Sequence, residues 1–302
     1  MQSRLPRSFA LFALLAPLLF AILPTAAQAA PAGSATGVTS TSNTYPGPPS
    51  GSLAVPPAGL PPDRLSRILS SREVRICIWP DYYGITYRDP KNRQLSGIDL
   101  DLATELGKDL GVAVRFVDSS FASLIDDVLG ERCDLAMFAI GITPARAEKL
   151  RFTRPHLASD VYAITTRSNR RIRSWADIDQ PGVIAAVAKG TLHETVMRDK
   201  LKQAALTVTQ TPHEREQEVE SGRADLFFTD FPYSRRMLEK TDWARLVAPT
   251  GPYHVTPYGW AMKLGDDPWF NRVERFMSDI KRDGRLAAAA QRHGLTPIVR
   301  LD

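Results

Sequence analysis

The chain has 302 residues, of which 43% are hydrophobic and 24% charged, with a formal net charge of +5. This composition is typical of a globular protein, excludes a chain that is disordered throughout, and leaves room for two domains. The basic residues are scattered among acidic ones and form no stripe, so nucleic acid is not an expected partner. No closely spaced Cys/His cluster indicates a structural zinc site, and neither a metal nor a cofactor is expected.

The first thirty residues have the pattern of a secretory signal peptide. Arg4 and Arg7 precede an apolar run from Phe9 to Leu23, and small residues follow. A cleavage site near Ala29 or Ala30 is expected, which predicts a periplasmic protein. The alternative is an uncleaved anchor, although the run is short for a membrane span and no second run follows.

Residues 31–61 are rich in Pro, Gly, Ser and Thr and almost free of charge, which predicts a disordered linker. The folded part then begins with a short helical segment and a strand from Val74 to Trp79. Strands alternate with amphipathic helices up to Ile140, and the same rhythm repeats from Val161 onward. This alternation predicts two α/β lobes, each with a mostly parallel sheet flanked by helices.

Cys77 and Cys133 are the two cysteines of the chain, and both lie at predicted strands of the same lobe. In an oxidising compartment such a pair is compatible with a disulfide, and the alternative is two separately buried thiols.

One stretch carries the first candidate site. Leu135–Ile140 is an unbroken apolar run that predicts a buried strand, Gly141 allows a turn, Thr143 is a good helix N-cap and Pro144 suits the first helical position. Arg146 adds a cation beside the helix N-terminus, at the carboxyl end of a strand. Together these features predict a seat for a small carboxylate, and the alternative is an ordinary connection with a surface arginine.

The second lobe offers two further connections between a strand and a helix. Thr191 and Glu194 have the spacing of a capping box, so Thr191 is either a plain N-cap or a donor facing the cleft. Asp230 follows an apolar strand, and it either caps the next helix or faces a cationic group of a ligand.

The chain resembles bacterial periplasmic solute-binding proteins of the polar amino-acid uptake type, extracellular solute-binding protein family 3, over about residues 72 to 296. The matching residues occur in the same order as in that family: Gly97, Ile98, Asp99, Asp101, Asp134, Ile142, Thr143, Pro144, Arg146, Phe152, Thr153, Gly190, Thr191, Gly222, Asp225, Asp230, Asp283 and Gly284.

The resemblance implies a two-lobed fold of the type II kind with the ligand in the cleft and closure by hinge motion. The implied segments are lobe 1 in two parts and lobe 2 between them: residues 62–164 for the first part of lobe 1, 165–254 for lobe 2, and 255–302 for the return to lobe 1 with the C-terminal helices.

By resemblance, Arg146 binds a carboxylate, Thr191 is the loop donor of the second lobe, and Asp230 binds an ammonium group, so an α-amino acid is the expected ligand. Tyr82 corresponds to the aromatic residue that stacks on the ligand side chain. The expected ligand-binding residues are Trp79, Tyr82, Phe121, Phe138, Gly141, Arg146, Thr191 and Asp230.

Two departures from the family bear on the ligand. Gly141 stands where a hydroxyl residue is usual, which removes one side-chain hydrogen bond to the carboxylate. Trp79 stands where members that prefer basic amino acids often have an acid, and Phe138 and Ala139 replace positions that are commonly small and polar. A strictly basic ligand is therefore not expected.

The expected function is capture of a small solute for a membrane ABC permease by a monomeric protein that is not an enzyme. The expected solute is an α-amino acid, and the alternative is a small carboxylate. One alternative is an enzyme of the same fold, a cyclohexadienyl dehydratase acting on arogenate or prephenate, for which His193 and Glu194 are candidates by location alone. Another is a ligand sensor for a separate membrane signalling or periplasmic dehydrogenase system.

Overall fold

The structure is a computed structural model that describes residues 63–302. The predicted signal peptide and linker lie outside the described residues. Within residues 63–302, no helix is both long and apolar enough to cross a membrane.

Helices and strands alternate along most of the described chain. The helices are α1 (Arg64–Ser71), α2 (Ile98–Leu110), α3 (Leu124–Leu129), α4 (Pro144–Ala147), α5 (Leu192–Lys200), α6 (Pro212–Glu220), α7 (Phe231–Lys240), α8 (Asp267–Arg282) and α9 (Arg285–Arg292). The strands are β1 (Glu73–Ile78), β2 (Asp81–Tyr82), β3 (Thr86–Arg88), β4 (Leu95–Ser96), β5 (Ala113–Asp118), β6 (Leu135–Gly141), β7 (Leu150–Phe152), β8 (Leu157–Ser159), β9 (Tyr162–Thr166), β10 (Ile184–Ala188), β11 (Ala205–Thr209), β12 (Leu226–Thr229), β13 (Ala244–Val247) and β14 (Thr256–Lys263).

Lobe 1 is built on a sheet with the strand order β5-β1-β6-β14-β7, with β8 paired to β14. β1 pairs in parallel with β5 and β6, whereas β14 is antiparallel to β6. All seven residues of β6 are buried, as its apolar run predicts for a strand covered on both faces. The return of β14 into this sheet makes lobe 1 discontinuous in sequence.

Lobe 2 is built on a second sheet with the order β11-β10-β12-β9-β13. β10, β11 and β12 are parallel, and β9 and β13 are antiparallel additions. Because β9 spans Tyr162–Thr166 and pairs with β12, the predicted boundary between residues 164 and 165 falls inside this strand. The chain crosses to lobe 2 before Tyr162, and it crosses back before Thr256. The two-lobed α/β architecture is confirmed.

Several local predictions depend on backbone chemistry and can be checked directly. α2 ends at Gly111, whose left-handed conformation (φ 68°) closes the helix as a glycine C-cap does. Thr143 caps α4 by accepting a hydrogen bond from the Arg146 backbone N–H, with Pro144 in the first turn. α4 is only four residues long, however, so the seat near Arg146 has one helical turn behind it rather than a long helix.

Cys77 and Cys133 are both buried and form a disulfide, with their Cα atoms 5.5 Å apart. The bond joins β1 to the loop before β6. It therefore holds together two neighbouring strands whose carboxyl ends lead into the candidate site.

Candidate functional site

One cavity lies between the lobes at the carboxyl ends of β6 and β12. Its volume is about 370 Å³ including the part open to solvent. The centre of a water molecule can occupy only about 20 Å³ of that volume. The walls are therefore close together, and a molecule much larger than water enters only if the lobes part. The residues around the cavity are Trp79, Tyr82, Phe121, Ala139, Gly141, Arg146, Thr191, Leu192, His193, Arg215, Thr229, Asp230, Tyr233 and Tyr258.

Arg146 projects from α4 of lobe 1 and reaches both lobes. Its two terminal nitrogens donate to the carbonyls of Gly141 and Gly190, each at 3.0 Å. The guanidinium also lies 5.4 Å from the centre of the Phe121 ring. Burial lowers the pKa of Arg146 from 12.5 to about 10, and the guanidinium still carries its charge at neutral pH. Among the described residues, no carboxylate lies within 4.0 Å of this cation.

Asp230 is the acid on the opposite wall. It is the N-cap of α7, and its Oδ1 accepts from the Tyr233 backbone N–H at 3.2 Å. Its Oδ2 accepts from the hydroxyls of Tyr82 and Tyr258, the latter at 3.1 Å, and both tyrosines belong to lobe 1. Burial raises the pKa of the Asp230 carboxyl, although these hydrogen bonds and the charge of Arg215 oppose the shift.

A carboxylate offers about four acceptor positions, and three of those on Asp230 are used. One remains for a donor in the cavity. Asp230 thus both caps its helix and faces the cleft, so the two alternatives drawn from the sequence are not exclusive.

Three aromatic side chains form one side of the cavity. Trp79, Tyr82 and Phe121 meet edge to face, with ring centres 4.9 to 6.0 Å apart. Phe138, which was expected to contact the ligand, is fully buried behind them and packs on Phe121 at 5.0 Å. Phe138 is a core residue because the side chains of a strand alternate between its two faces, and it supports the wall rather than lining it.

The connection at Thr191 differs from the predicted capping box. The Thr191 hydroxyl donates to the Ala188 carbonyl at 2.7 Å and makes no cap bond, while Glu194 accepts from the Gly190 N–H at 2.7 Å. Glu194 also pairs with Arg198, and it does not line the cavity. Thr191 itself is buried and lines the cavity, beside one of the contacts between the lobes.

This contact is made by Gly190. Its φ of +75° favours glycine, and a Cβ there would lie 2.6 Å from backbone atoms of Ala122 in lobe 1. Any side chain at this position would push the lobes apart.

Gly141 stands at the end of β6, where a hydroxyl residue was expected. A Cβ at Gly141 would lie 3.3 Å from the Thr256 methyl group and 3.5 Å from an Arg146 nitrogen. The space that a hydroxyl side chain would fill is therefore narrow. The Gly141 carbonyl instead fixes Arg146, so this residue contributes through its backbone.

Five residues of the cavity carry polar groups that the sequence analysis did not assign to ligand binding: His193, Arg215, Thr229, Tyr233 and Tyr258. Arg215 had a visible signal, because it lies four residues before Val219 and thus on the buried face of α6. Tyr258 had no such signal in the sequence. It lies opposite Asp230 only because the chain returns from lobe 2 to lobe 1 and forms β14 beside β6.

The comparisons with known proteins agree with this architecture. Residues 74–296 match the model of a family described as bacterial extracellular solute-binding proteins, family 3. Cyclohexadienyl dehydratase of Pseudomonas aeruginosa is 31% identical over 70% of this chain and 81% of its own length. A putative ABC transporter arginine-binding protein of Escherichia coli is 25% identical over 64% of this chain and 79% of its own length.

A solved structure gives the same result. The crystal structure of the ancestral amino acid-binding protein AncCDT-1, a precursor of cyclohexadienyl dehydratase, has a TM-score of 0.70 and 30% identity over 76% of this chain and 98% of its own.

The similarity to an enzyme at 31% identity overturns the expectation that the chain is not an enzyme. That expectation took a binding fold without a nucleophile as evidence against catalysis, whereas relatives of this fold include both binding proteins and a dehydratase. The match over residues 74–296 and the similarity of these relatives show that the chain belongs to the bacterial extracellular solute-binding proteins, family 3.

Proposed function

We propose that the chain binds an α-amino acid in the cavity between its lobes, with Arg146 on the carboxylate and Asp230 on the ammonium group. The single observation that carries this proposal is the presence of a partly buried cation and a buried anion on walls that belong to different lobes. A zwitterion fits that arrangement, and by contacting both walls it favours the closed form.

Arg146 suits a carboxylate for a geometric reason. A guanidinium has five N–H donors in a planar fork, and two of its nitrogens already donate to carbonyls on either side of the cleft. These two bonds fix the orientation of the guanidinium and of its remaining N–H donors. Binding a ligand therefore costs little further conformational entropy of the Arg146 side chain.

Asp230 suits an ammonium group because it is a buried carboxylate with an acceptor position left over. A cation beside it would replace some of the stabilisation that burial removes. The hydroxyls of Tyr82 and Tyr258 belong to the other lobe. Their hydrogen bonds to Asp230 therefore form when the cleft closes.

The test is a thermal-shift screen of the twenty amino acids, followed by calorimetric titration of each that stabilises the protein. Arg146→Met and Asp230→Asn are each expected to weaken binding at least about thirtyfold. A matched control is Asp266→Asn, since Asp266 caps α8 as Asp230 caps α7 but lies away from the cavity. If Asp230→Asn binds the same amino acids as the unchanged protein, the ammonium assignment is wrong.

For the cellular role, we propose an exported, monomeric receptor that delivers its ligand to an ABC permease. The Escherichia coli relative named as a putative ABC transporter arginine-binding protein supports this role. The test is uptake of the identified amino acid by cells with and without the gene. Equal uptake rates would contradict the transport role and would leave amino-acid binding untouched.

A second candidate function is dehydration of a cyclohexadienyl acid such as prephenate or arogenate. The similarity to cyclohexadienyl dehydratase and the raised pKa of Asp230 in the cavity favour it, because a carboxyl that keeps its proton can act as a general acid. In such a step a carboxyl in its protonated form would donate the proton to the ring hydroxyl, which leaves as water. The ring carboxylate leaves as carbon dioxide, and the electron pair of its bond completes the aromatic ring.

This candidate is tested by incubating the protein with prephenate and with arogenate and measuring the aromatic product. Product formation that Asp230→Asn abolishes and Asp266→Asn retains would support it. Absence of product with both compounds would remove it.

A further inference from the structure

Arg215 is a second buried cation at the cavity. It projects from α6, is 2% exposed, and donates to the Phe228 carbonyl at 3.0 Å and the Thr229 hydroxyl at 3.4 Å. Its Nε–H has no hydrogen-bond partner among residues 63–302, and no carboxylate of that part of the chain lies within 4.0 Å. The guanidinium therefore retains donor capacity beside the cavity.

His193 lines the cavity in the same lobe as Arg215. The residue is 7% exposed, and neither ring nitrogen makes a well-formed hydrogen bond within the described residues. Burial, with help from the charge of Arg215, lowers its pKa from 6.5 to about 3, although the nearby Thr229 backbone opposes the shift. The imidazole is therefore neutral at pH 7 and offers one N–H donor and one acceptor.

The charges around the cavity do not balance. Two guanidiniums, on Arg146 and Arg215, face one carboxylate, on Asp230, while His193 is neutral. The lining thus carries one net positive charge in a space that excludes most water, where uncompensated charge is costly. A neutral amino acid leaves this excess, a basic one doubles it, and an amino acid with a second carboxylate cancels it.

We propose that Arg215 and His193 form a subsite for a second carboxylate, so that the ligand is an α-amino acid with an acidic side chain. This inference rests on the proposed function, since it takes Arg146 and Asp230 as the partners of the α-carboxylate and the ammonium group. The side-chain carboxylate then accepts from the free Nε–H of Arg215 and from an imidazole N–H of His193.

The competing explanation is that Arg215 only stabilises lobe 2. Its guanidinium lies 4.3 Å from the Tyr233 ring centre and 4.8 Å from that of Phe227, and its charge acts on Asp230. A purely structural arginine would not distinguish a ligand carboxylate from an amide of the same shape. The two explanations therefore predict different ligand preferences.

The experiment compares L-glutamate with L-glutamine by calorimetric titration of the whole chain at pH 7. The two ligands have nearly the same shape and differ in one charge. Because hydrogen bonds to charged groups contribute about 1.5–3 kcal/mol, glutamate is expected to bind about 10- to 100-fold more tightly. Equal affinity, or tighter binding of glutamine or of L-arginine, would overturn the subsite.

Variants then assign the preference to the subsite. Arg215→Gln and His193→Leu are each expected to lower the ratio of glutamate to glutamine affinity at least tenfold while glutamine still binds. Arg223→Gln is the control, because Arg223 pairs with Glu218 on the surface of the same lobe. An unchanged ratio in both cavity variants would overturn the assignment, and His193→Leu or the comparison on the unchanged chain decides if Arg215→Gln fails to fold.

The outcomes also separate this inference from the proposed function. Binding of neutral or basic amino acids that depends on Arg146 and Asp230, without a preference for glutamate, contradicts the subsite alone. Failure of every amino acid to bind contradicts both.

Discussion

Replacing Arg146 by methionine is expected to separate ligand binding from folding. The side chain is partly buried, and the decrease of its pKa from 12.5 to about 10 means that the folded protein disfavours the charged guanidinium by about 3 kcal/mol. Against this, the variant loses two charged hydrogen bonds, to the carbonyls of Gly141 and Gly190, of about 1.5–3 kcal/mol each. The two effects cancel at the lower end of this range and leave a net loss of about 3 kcal/mol at the upper end. The variant without ligand should therefore unfold between about 0 and 12 °C below the unchanged protein.

The ligand response should differ much more. An amino acid at a hundredfold excess over its dissociation constant stabilises the unchanged protein by about 2.7 kcal/mol, which is about 5–10 °C for a domain of this size. Leaving a buried ligand carboxylate without Arg146 costs about 2–5 kcal/mol of binding free energy, or at least a thirtyfold loss of affinity. At the same ligand concentration the stabilisation should then fall below about 1 kcal/mol.

The assay is thermal unfolding of Arg146→Met and of the control Arg223→Met, each with and without the amino acid that stabilises the unchanged protein most. Arg223 is an exposed arginine of lobe 2 paired with Glu218, so its replacement should leave the ligand response intact. A full ligand-induced shift in Arg146→Met would refute the role of Arg146. A large loss of stability in the variant without ligand would refute the calculation of opposing energies.

Three further predictions test the contact between the lobes, the buried imidazole and the disulfide. Gly190→Ala places a Cβ 2.6 Å from the Ala122 backbone, so the variant should fold but bind at least tenfold more weakly, and small-angle scattering should show no compaction on adding ligand. His193 has a lowered pKa, so the unfolded chain takes up a proton between pH 6.5 and about 3 that the folded chain does not. Through this proton the unchanged protein should lose about 2 kcal/mol of unfolding free energy between pH 7 and pH 5, and His193→Gln should lack that loss in urea unfolding. Cys77→Ala with Cys133→Ala opens a covalent loop with a sequence separation of 56 and should lower the unfolding free energy by about 4 kcal/mol, seen as a lower urea midpoint that a reducing agent reproduces in the unchanged protein. Equal pH sensitivity, unaffected closure or an unchanged midpoint would contradict the respective prediction.

Much of the fold follows from patterns that are local in sequence. The apolar run of β6, the N-cap at Thr143 and the glycine C-cap at Gly111 each depend on a few neighbouring residues, and the structure has all three. The strand pairs that need distant partners are different. The small sheet β2-β3-β4 and the strand β13 were not predicted, because short strands have no clear periodicity of their own. The strand β9 was predicted, but its antiparallel pairing was not.

The candidate site shows the same division. Arg146 and Asp230 lie shortly after the ends of the apolar strands β6 and β12, a local pattern that is visible in the sequence, so both residues could be predicted. Phe138 was placed in the site by its correspondence to a family position, but the direction of a side chain in a fully buried strand is not visible in an unbroken apolar run. Arg215 was overlooked because a charged residue in a polar helix is usually exposed.

Tyr258 illustrates what only the tertiary structure supplies. Its hydroxyl reaches Asp230 because the chain crosses from lobe 2 back to lobe 1 before β14, and β14 pairs with β6 so that Tyr258 lies opposite Gly141 at the cleft. No local pattern around Tyr258 encodes this meeting of two residues from different lobes.

The most direct measurement is a crystal structure of the chain with its preferred amino acid bound. The α-carboxylate is predicted to lie within hydrogen-bond distance of the Arg146 guanidinium and the ammonium group within that distance of an Asp230 oxygen, with both lobes contacting the ligand. A ligand bound outside this cavity, or one whose ammonium group faces away from Asp230, would contradict the account.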